Sequence, residues 1–157
     1  MKNPLQKEFD QLEFYLKKGN IVEPSVSQKG IYWHVDHCLR ILEGIPEMMR
    51  QSDKKDYQPK SSLMKFVVMT FGWIPRGKGK SPKNVLPDEE KLDAQSIDRR
   101  SDQAFHQVVS IHKLPEWSYM RHPLFGSLNK DEAIKFLGIH TRHHLKIMRD
   151  IVKAHKA

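Results

Sequence analysis

The segment GIHTRHHLKIMRD, residues 138–150, places three histidines within five positions of a helical pattern. An ideal α-helix advances about 100° per residue, so His140 and His144 project from one face, one turn apart. His143 lies about 80° from the middle of that face, at its edge. The other residues within roughly 60° of His140 are apolar: Ala133, Phe136, Leu137, Ile147 and Ile151. The segment therefore predicts a helix that turns two histidines toward the interior of the protein.

Outside this helix, the sequence contains further helical segments and no repeat. Asn129 and Glu132 have the spacing of a capping box at the start of the last helix. Asn3 and Pro4 predict the start of the first helix. Helical spacing also covers residues 27–51 and 88–114, and the apolar segment SSLMKFVVMTFGW, residues 61–73, predicts a helix packed on several sides. Residues 115–128 are expected to form a structured loop, and strands are not expected. The prediction is an all-α, antiparallel helical bundle.

Composition places the chain among globular proteins that fold as one domain. It has 157 residues, of which 38% are hydrophobic and 29% charged, and its one cysteine is Cys38. A single cysteine excludes an internal disulfide and CxxC motifs. The N-terminal residues lack the apolar stretch of a signal peptide, and no segment reaches the roughly 18 apolar residues that a membrane span requires. We expect a single helical domain, residues 1–157, in the cytoplasm and without a membrane partner.

The formal net charge of +8 raises the question of nucleic-acid binding. One block without acids, RGKGKSPK from Arg76 to Lys83, holds four positive side chains, but its glycines and proline predict a loop. Elsewhere the basic residues alternate with acidic ones, which is typical of solvated helix faces. Nucleic acid is therefore not the expected partner, although the basic loop keeps that alternative open.

The second helix supplies a further inward histidine. One stripe of this helix contains Trp33, His37, Ile41, Gly44 and Met48. His34 lies toward the side of that stripe. Two histidines at i and i+4, with a third from a facing helix, form a compact three-nitrogen site that suits Zn, Ni, Cu or Fe(II). The spacing thus makes His37, His140 and His144 candidate ligands. It leaves open that each is a core histidine bonded to a backbone carbonyl or a carboxylate.

Three stretches resemble the DinB-like superfamily, whose four-helix bundles include YfiT-type metal-dependent hydrolases and thiol-dependent S-transferases. GIHTRHHLKIMRDI resembles its last helix, WHVDHCLRIL resembles its second-helix motif, and RHPLFGSLNKDE is similar to an uncharacterised branch with an HPxFG loop before the final helix. The resemblance implies an antiparallel four-helix bundle with an extra short helix or structured loop. It also implies a metal triad, which His37, His140 and His144 match; His34 offers an alternative register one turn away.

These observations lead to two classes of function. Three neutral histidines leave a coordination position open, which is typical of catalytic metal sites. We expect a divalent transition metal, Zn or Ni, a small-molecule substrate, and either a hydrolase or an S-transferase that uses a low-molecular-weight thiol. The alternative is a non-catalytic helical interaction module, associated with nucleic acid through its basic loop. Apolar helix faces often pair in such bundles, so a homodimer is compatible with the sequence.

The remaining candidates would support the ligands or line a pocket. They are His34, His122, His143 and Arg121. His122 would approach the mouth of the bundle or bond the backbone of its loop, and Arg121 and Arg142 would pair an anionic substrate. Asp36 and His143 are candidate proton acceptors for hydrolysis. No Ser-His-Asp order, glycine-rich phosphate loop or paired-carboxylate spacing is evident, so no catalytic residue is assigned.

Overall fold

The computed structural model describes residues 2–77 and 82–156. In these residues the helices are α1 (Gln6–Leu16), α2 (Ile31–Arg50), α3 (Leu63–Phe71), α4 (Ala94–Ser110) and α5 (Lys130–His155). The strands are β1 (Tyr119–His122) and β2 (Gly126–Asn129), and short 3-10 turns cover Lys54–Asp56, Lys83–Val85, Glu89–Lys91 and Ile111–Lys113. The protein is therefore mostly helical, with a small two-stranded antiparallel sheet between α4 and α5.

Four helices share one hydrophobic core. Helix α2 packs against α4 and α5, and α1 packs against α2, α4 and α5. These helices contribute fully buried side chains such as Leu12, Leu42, Ile97 and Leu137. Burial of a large apolar side chain contributes about 1.5–3 kcal/mol, so this core is the main source of stability. It also brings α2 and α5, which carry the predicted histidines, into direct contact.

Helix α5 begins where the capping pattern predicts. The side chain of Asn129 accepts a hydrogen bond from the backbone N–H of Glu132 at 2.9 Å, and the Glu132 carboxylate accepts one from the N–H of Asn129 at 3.0 Å. Gly138 lets α1 approach closely, because a Cβ there would lie 3.2 Å from Cδ2 of Leu5. The start of α5 is thus fixed by local sequence, while Gly138 leaves room for a residue distant along the chain.

The buried face of α2 is wider than the predicted stripe and is rotated away from it. Gly44 and Met48, placed in that stripe, are exposed. His34, Cys38 and Leu42 are buried instead. Since α2 packs against α4 on one side and α5 on the other, both flanks of the stripe are covered. The prediction that His34 lies at the side is therefore wrong, because this histidine is interior.

Residues 119–129 form a β-hairpin, so the expectation of a chain without strands is wrong. Tyr119 pairs with Asn129 and His122 with Gly126. Gly126 has a φ of 69°, and a Cβ there would lie 2.7 Å from the carbonyl oxygen of Gln58. This close approach requires glycine. The strands are four residues long, too short for an alternating pattern to predict them.

Helix α3 forms as predicted but is not packed on several sides. Ser62 caps it by accepting a hydrogen bond from the N–H of Lys65 at 3.0 Å, and Gly72 ends it with a φ of 62°. Only one side chain of α3 is buried, that of Val68. The exposed apolar side chains on and after this helix are Leu63, Met64, Phe66, Phe71 and Trp73. Helix α3 packs on α5 at the edge of the core, to which it contributes Val68, so its apolar composition did not indicate burial of the whole helix.

None of the helices in the described part of the chain is both long and apolar enough to cross a lipid bilayer. This holds for α3 as well, because the helix has only 9 residues and a membrane-spanning helix needs about 20.

Candidate metal centre

Helices α2 and α5 bring His37, His140 and His144 together. One ring nitrogen from each lies within 4.8 Å of the other two. Three nitrogens bound to one tetrahedral zinc ion at 2.0–2.1 Å would be about 3.4 Å apart. Small rotations of the rings therefore close the cluster onto a single ion. The three histidines that the sequence made candidate ligands are the ones that the fold gathers.

The contacts that orient His37 include a hydrogen bond and a ring stack. Its Nδ1 lies 2.9 Å from the carbonyl oxygen of Val85, in the turn Lys83–Val85. Its ring stacks on Trp33 with centroids 4.9 Å apart and planes 16° from parallel. Because a carbonyl only accepts hydrogen bonds, Nδ1 carries the proton and Nε2 keeps the lone pair that a metal needs.

His144 is supported by His34 in a chain of hydrogen bonds. The two Nδ1 atoms are 2.9 Å apart, and Nε2 of His34 lies 3.1 Å from Oγ of Ser27. If His144 donates to His34 and His34 donates to Ser27, Nε2 of His144 is left unprotonated for an ion. His34 is only 3% exposed. In this arrangement His34 supports a ligand.

His140 contributes a buried ring nitrogen to the cluster. Its Nδ1 has no hydrogen-bond partner among the described residues. Buried polar atoms are nearly always hydrogen-bonded, and leaving one unsatisfied costs about 1–3 kcal/mol. An ion coordinated by this nitrogen would remove that cost. His140 as a whole is only partly buried, whereas His37 and His144 are buried.

Burial keeps the histidines of the cluster neutral. It lowers the pKa of His140 to about 3 and that of His34 to about 4, and the charge of His37 adds to both effects. Burial also holds the pKa of His144 well below its ordinary value and lowers the pKa of His37, against the opposing hydrogen bond to Val85. Neutral imidazole is the form that binds metal. The site is therefore ready for a cation near pH 7.

His143 and His122 occupy different positions around the cluster. His143 is half-buried, with its ring centroid 5.2 Å from that of His144. His122 belongs to the hairpin, where its Nδ1 accepts hydrogen bonds from the N–H groups of Leu124 and Phe125 at 3.1 and 3.2 Å. His122 thus bonds the backbone of its own turn, while His143 adjoins the metal candidates.

The contacts of Arg142 and Asp36 do not support the roles predicted for these two residues. Arg142 forms an ion pair with Glu8 on α1, which commits it to helix packing. Asp36 accepts from Arg40 at 2.6 Å and from Arg100 at 2.8 Å, one arginine on each oxygen. This carboxylate links α2 to α4, which argues against a role as proton acceptor at the cluster.

The remaining candidates lie outside the cluster. Arg121, on β1, contacts the carbonyl oxygen of Asp56 at 3.5 Å, and its role toward a substrate stays a prediction. Cys38 is fully buried, and burial raises the pKa of its thiol, as expected for an unreactive core residue. In the basic block, Arg76 pairs with Asp150 at 2.7 Å, while residues 78–81 lie outside the described residues.

Two contributors to the site were missed from the sequence. Val85 and Ser27 act through a carbonyl and a hydroxyl that come from loops before α4 and α2. No spacing rule connects a loop residue to a helix 48 positions away. Trp33 lies four residues before His37 on the same helix, and this spacing was a usable signal for the stacking contact.

A comparison with protein-family models matches residues 42–151 to the family described as Protein of unknown function (DUF1569). Since the match spans more than half of the chain, the protein belongs to this family. Comparison with curated proteins and with solved structures gave no match. The matched region contains His140 and His144 and begins after His37. The family description carries no activity, so function has to be argued from the site.

Proposed function

We propose that this member of the DUF1569 family is a metal-dependent enzyme whose divalent ion is held by His37, His140 and His144. The convergence of these three neutral imidazoles within 4.8 Å carries the proposal. A single core histidine needs only an ordinary hydrogen-bond partner, whereas three imidazoles directed at one point are a ligand set. Three nitrogen ligands suit Zn or Ni.

Three protein ligands leave room for at least one exchangeable ligand, and a divalent ion in such a site makes water or a thiol nucleophilic near neutral pH. We propose that a small molecule reaches the cluster past His140, which is partly exposed. Because Asp36 is bonded to two arginines, His143 is the better candidate for moving a proton beside His144. The reaction that we propose is hydrolysis or thiol-dependent S-transfer.

The fold that we propose for this chain is the antiparallel four-helix bundle of the DinB-like superfamily, with α3 and the hairpin as additions. The shared core of α1, α2, α4 and α5 supports it. The position of the ligands supports it too, with His37 on the second helix and His140 and His144 four apart on the last. This relation favours both hydrolase and S-transferase chemistry and does not choose between them.

Cobalt(II) loading tests the site and separates the two reactions. Three imidazoles with an open position predict the intense visible absorption of four- or five-coordinate cobalt. 2-Mercaptoethanol should add a thiolate-to-cobalt charge-transfer band if the open position takes a thiol. Hydrolysis of p-nitrophenyl acetate that depends on loaded cobalt, with no thiol band, would select the hydrolase.

The variants for this experiment are His144→Ala and, as a matched control, His155→Ala, which removes an exposed histidine of the same helix. We expect the control to give the wild-type spectrum and His144→Ala to give only the weak spectrum of hydrated cobalt. A weak spectrum from the wild-type protein would contradict the proposed centre.

A non-catalytic interaction module is the second candidate, and the exposed apolar side chains of α3 favour it. Phe66 is 60% exposed and Phe71 is 70% exposed. Contiguous apolar surface of this kind often marks contacts between proteins. This candidate predicts no metal-dependent absorption and no activity that depends on His144.

A further inference from the structure

A cavity of about 330 Å³ lies beside the histidine cluster, where the segment after α3 crosses α5. The residues that line it are Gly72, Trp73, Ile74, Arg76, His143 and Lys146. His143 joins the cavity to the cluster, because its ring centroid lies 5.2 Å from that of the candidate ligand His144. A molecule in this cavity would therefore be next to the proposed metal centre.

The charged side chains that line the cavity are cationic. Arg76 and Lys146 provide two cations, and no carboxylate is found among the described residues that line it. Arg76 shares its charge with Asp150, at 2.7 Å. Within residues 2–77 and 82–156, Lys146 has no ion-pair partner. An anion entering the cavity would meet one free ammonium group and the unused donors of a guanidinium group.

The cavity also has an apolar wall. Trp73 is 56% exposed, although tryptophan is usually well buried. An indole in this position offers a flat surface for the apolar part of a ligand while the cations take its charged end. The combination of cations on one side and an aromatic surface on the other is selective for molecules that have both features.

We propose that this cavity binds the anionic group, a carboxylate or phosphate, of the small molecule on which the metal centre acts. Lys146 and Arg76 bind the anion, and Trp73 contacts the apolar part. The inference rests on the proposed function, since it names the substrate class of the same site. The substrate is then an anionic small molecule with an apolar portion, and its charged end lies against α5.

The test uses phenyl phosphate as the probe. Benzyl alcohol serves as the neutral counterpart, and inorganic phosphate serves as the small counterpart without an aromatic ring. Binding is measured by chemical-shift changes in the isotope-labelled protein, so no activity is needed. Lys146→Met removes the free cation. The matched control, Lys153→Met, removes an exposed lysine of the same helix.

Phenyl phosphate should bind more tightly than either of the other probes. Lys146→Met should weaken its binding roughly fivefold, as expected for loss of a charge-assisted contact, and Lys153→Met should leave it within about twofold. Trp73→Ala should remove the preference for phenyl phosphate over inorganic phosphate. Equal effects of the two lysine variants, or equal binding of phenyl phosphate and benzyl alcohol, would overturn the proposal.

Metal content of the same samples separates this inference from the proposed function. If the protein holds metal but Lys146→Met has no specific effect, the cavity assignment fails and the metal centre stands. If the protein holds no metal but phenyl phosphate binding depends on Lys146, the anion site is supported and the metal-dependent function fails.

Discussion

Helices α5 and α3 depart in opposite directions from the usual pattern of buried apolar and exposed polar side chains. Helix α5 buries polar side chains, with His144 at 9% exposure and Thr141 at 0%. Helix α3 exposes apolar ones, with Leu63 at 79% and Phe66 at 60%. The difference comes from position, since many side chains of α5 belong to the shared core, whereas α3 packs at the edge of the core and contributes Val68 to it. Buried polar groups are costly unless they have partners, so function is expected on α5.

The largest expected effect comes from comparing a buried apolar residue of α5 with an exposed apolar residue of α3. Leu137→Ala on α5 should lower the free energy of unfolding by about 2–5 kcal/mol, because it leaves a cavity in the core. Phe66→Ala on α3 should change it by no more than about 0.5 kcal/mol, because Phe66 is largely exposed. Urea unfolding measures both. Similar losses from the two variants would show that α3 is part of the core, against the described packing.

Acidification should lower the free energy of unfolding through the histidine cluster and not through α3. The pKa of His140 is lowered to about 3 and that of His34 to about 4, chiefly by burial. Below pH of about 6.5 the unfolded chain takes up protons that the folded chain does not. The free energy of unfolding of metal-free protein should therefore decrease as pH falls toward about 4, by up to about 1.4 kcal/mol per pH unit for each histidine. Above that range both states are neutral and the effect vanishes.

Urea unfolding at a series of pH values checks this expectation. His140→Leu should show a shallower dependence on pH than the wild type, and the exposed His155→Ala should keep the wild-type dependence. A stability that stays constant between pH of about 7 and 5 would mean that the histidines are not buried in neutral form.

Removing the support of His144 should weaken metal binding without abolishing it. His34→Phe fills the space and removes the hydrogen bonds to His144 and Ser27. Loss of a partner behind a metal ligand typically costs 10–100-fold in affinity. Competition with a chelator measures the change. Complete loss in His34→Phe together with retention in His37→Phe would show that His34, one turn away, is the ligand of α2.

The smallest expected effects concern the two helix caps. Asn129→Ala on α5 should lower the global free energy of unfolding by about 1 kcal/mol. Ser62→Ala on α3 should instead reduce the hydrogen-exchange protection of α3 amides, since a peripheral helix can open by itself. Hydrogen exchange with and without urea distinguishes global from local opening. Equal effects on global stability would mean that α3 and α5 unfold as one unit.

The sequence predicted features that depend on local periodicity. Helical spacing alone turned His140 and His144 toward the interior, and the Asn129–Glu132 pattern located the start of α5. His37 followed from the same reasoning on α2 and also lies in the cluster. These predictions succeeded because an α-helix has a fixed angle per residue, whatever it packs against.

The sequence-based predictions failed for features that depend on contacts with residues distant along the chain. His34 is buried because α5 covers it, and His37 is oriented by Val85 from a loop 48 residues away. Most side chains of α3 are exposed because the helix packs at the edge of the core. Amino-acid composition does not predict where a helix packs. The hairpin depends on Gly126 passing next to Gln58. Each of these is a tertiary contact with no local signature.

The most direct test of the proposed metal centre is elemental analysis of protein purified without a histidine tag or chelator. We expect close to one transition-metal ion per chain in the wild type and in His155→Ala. We expect loss of that ion in His37→Ala, His140→Ala and His144→Ala, with circular dichroism showing that each variant remains helical. A wild-type protein that holds no metal and cannot be loaded near neutral pH, or folded triad variants that keep their metal, would contradict the proposed centre.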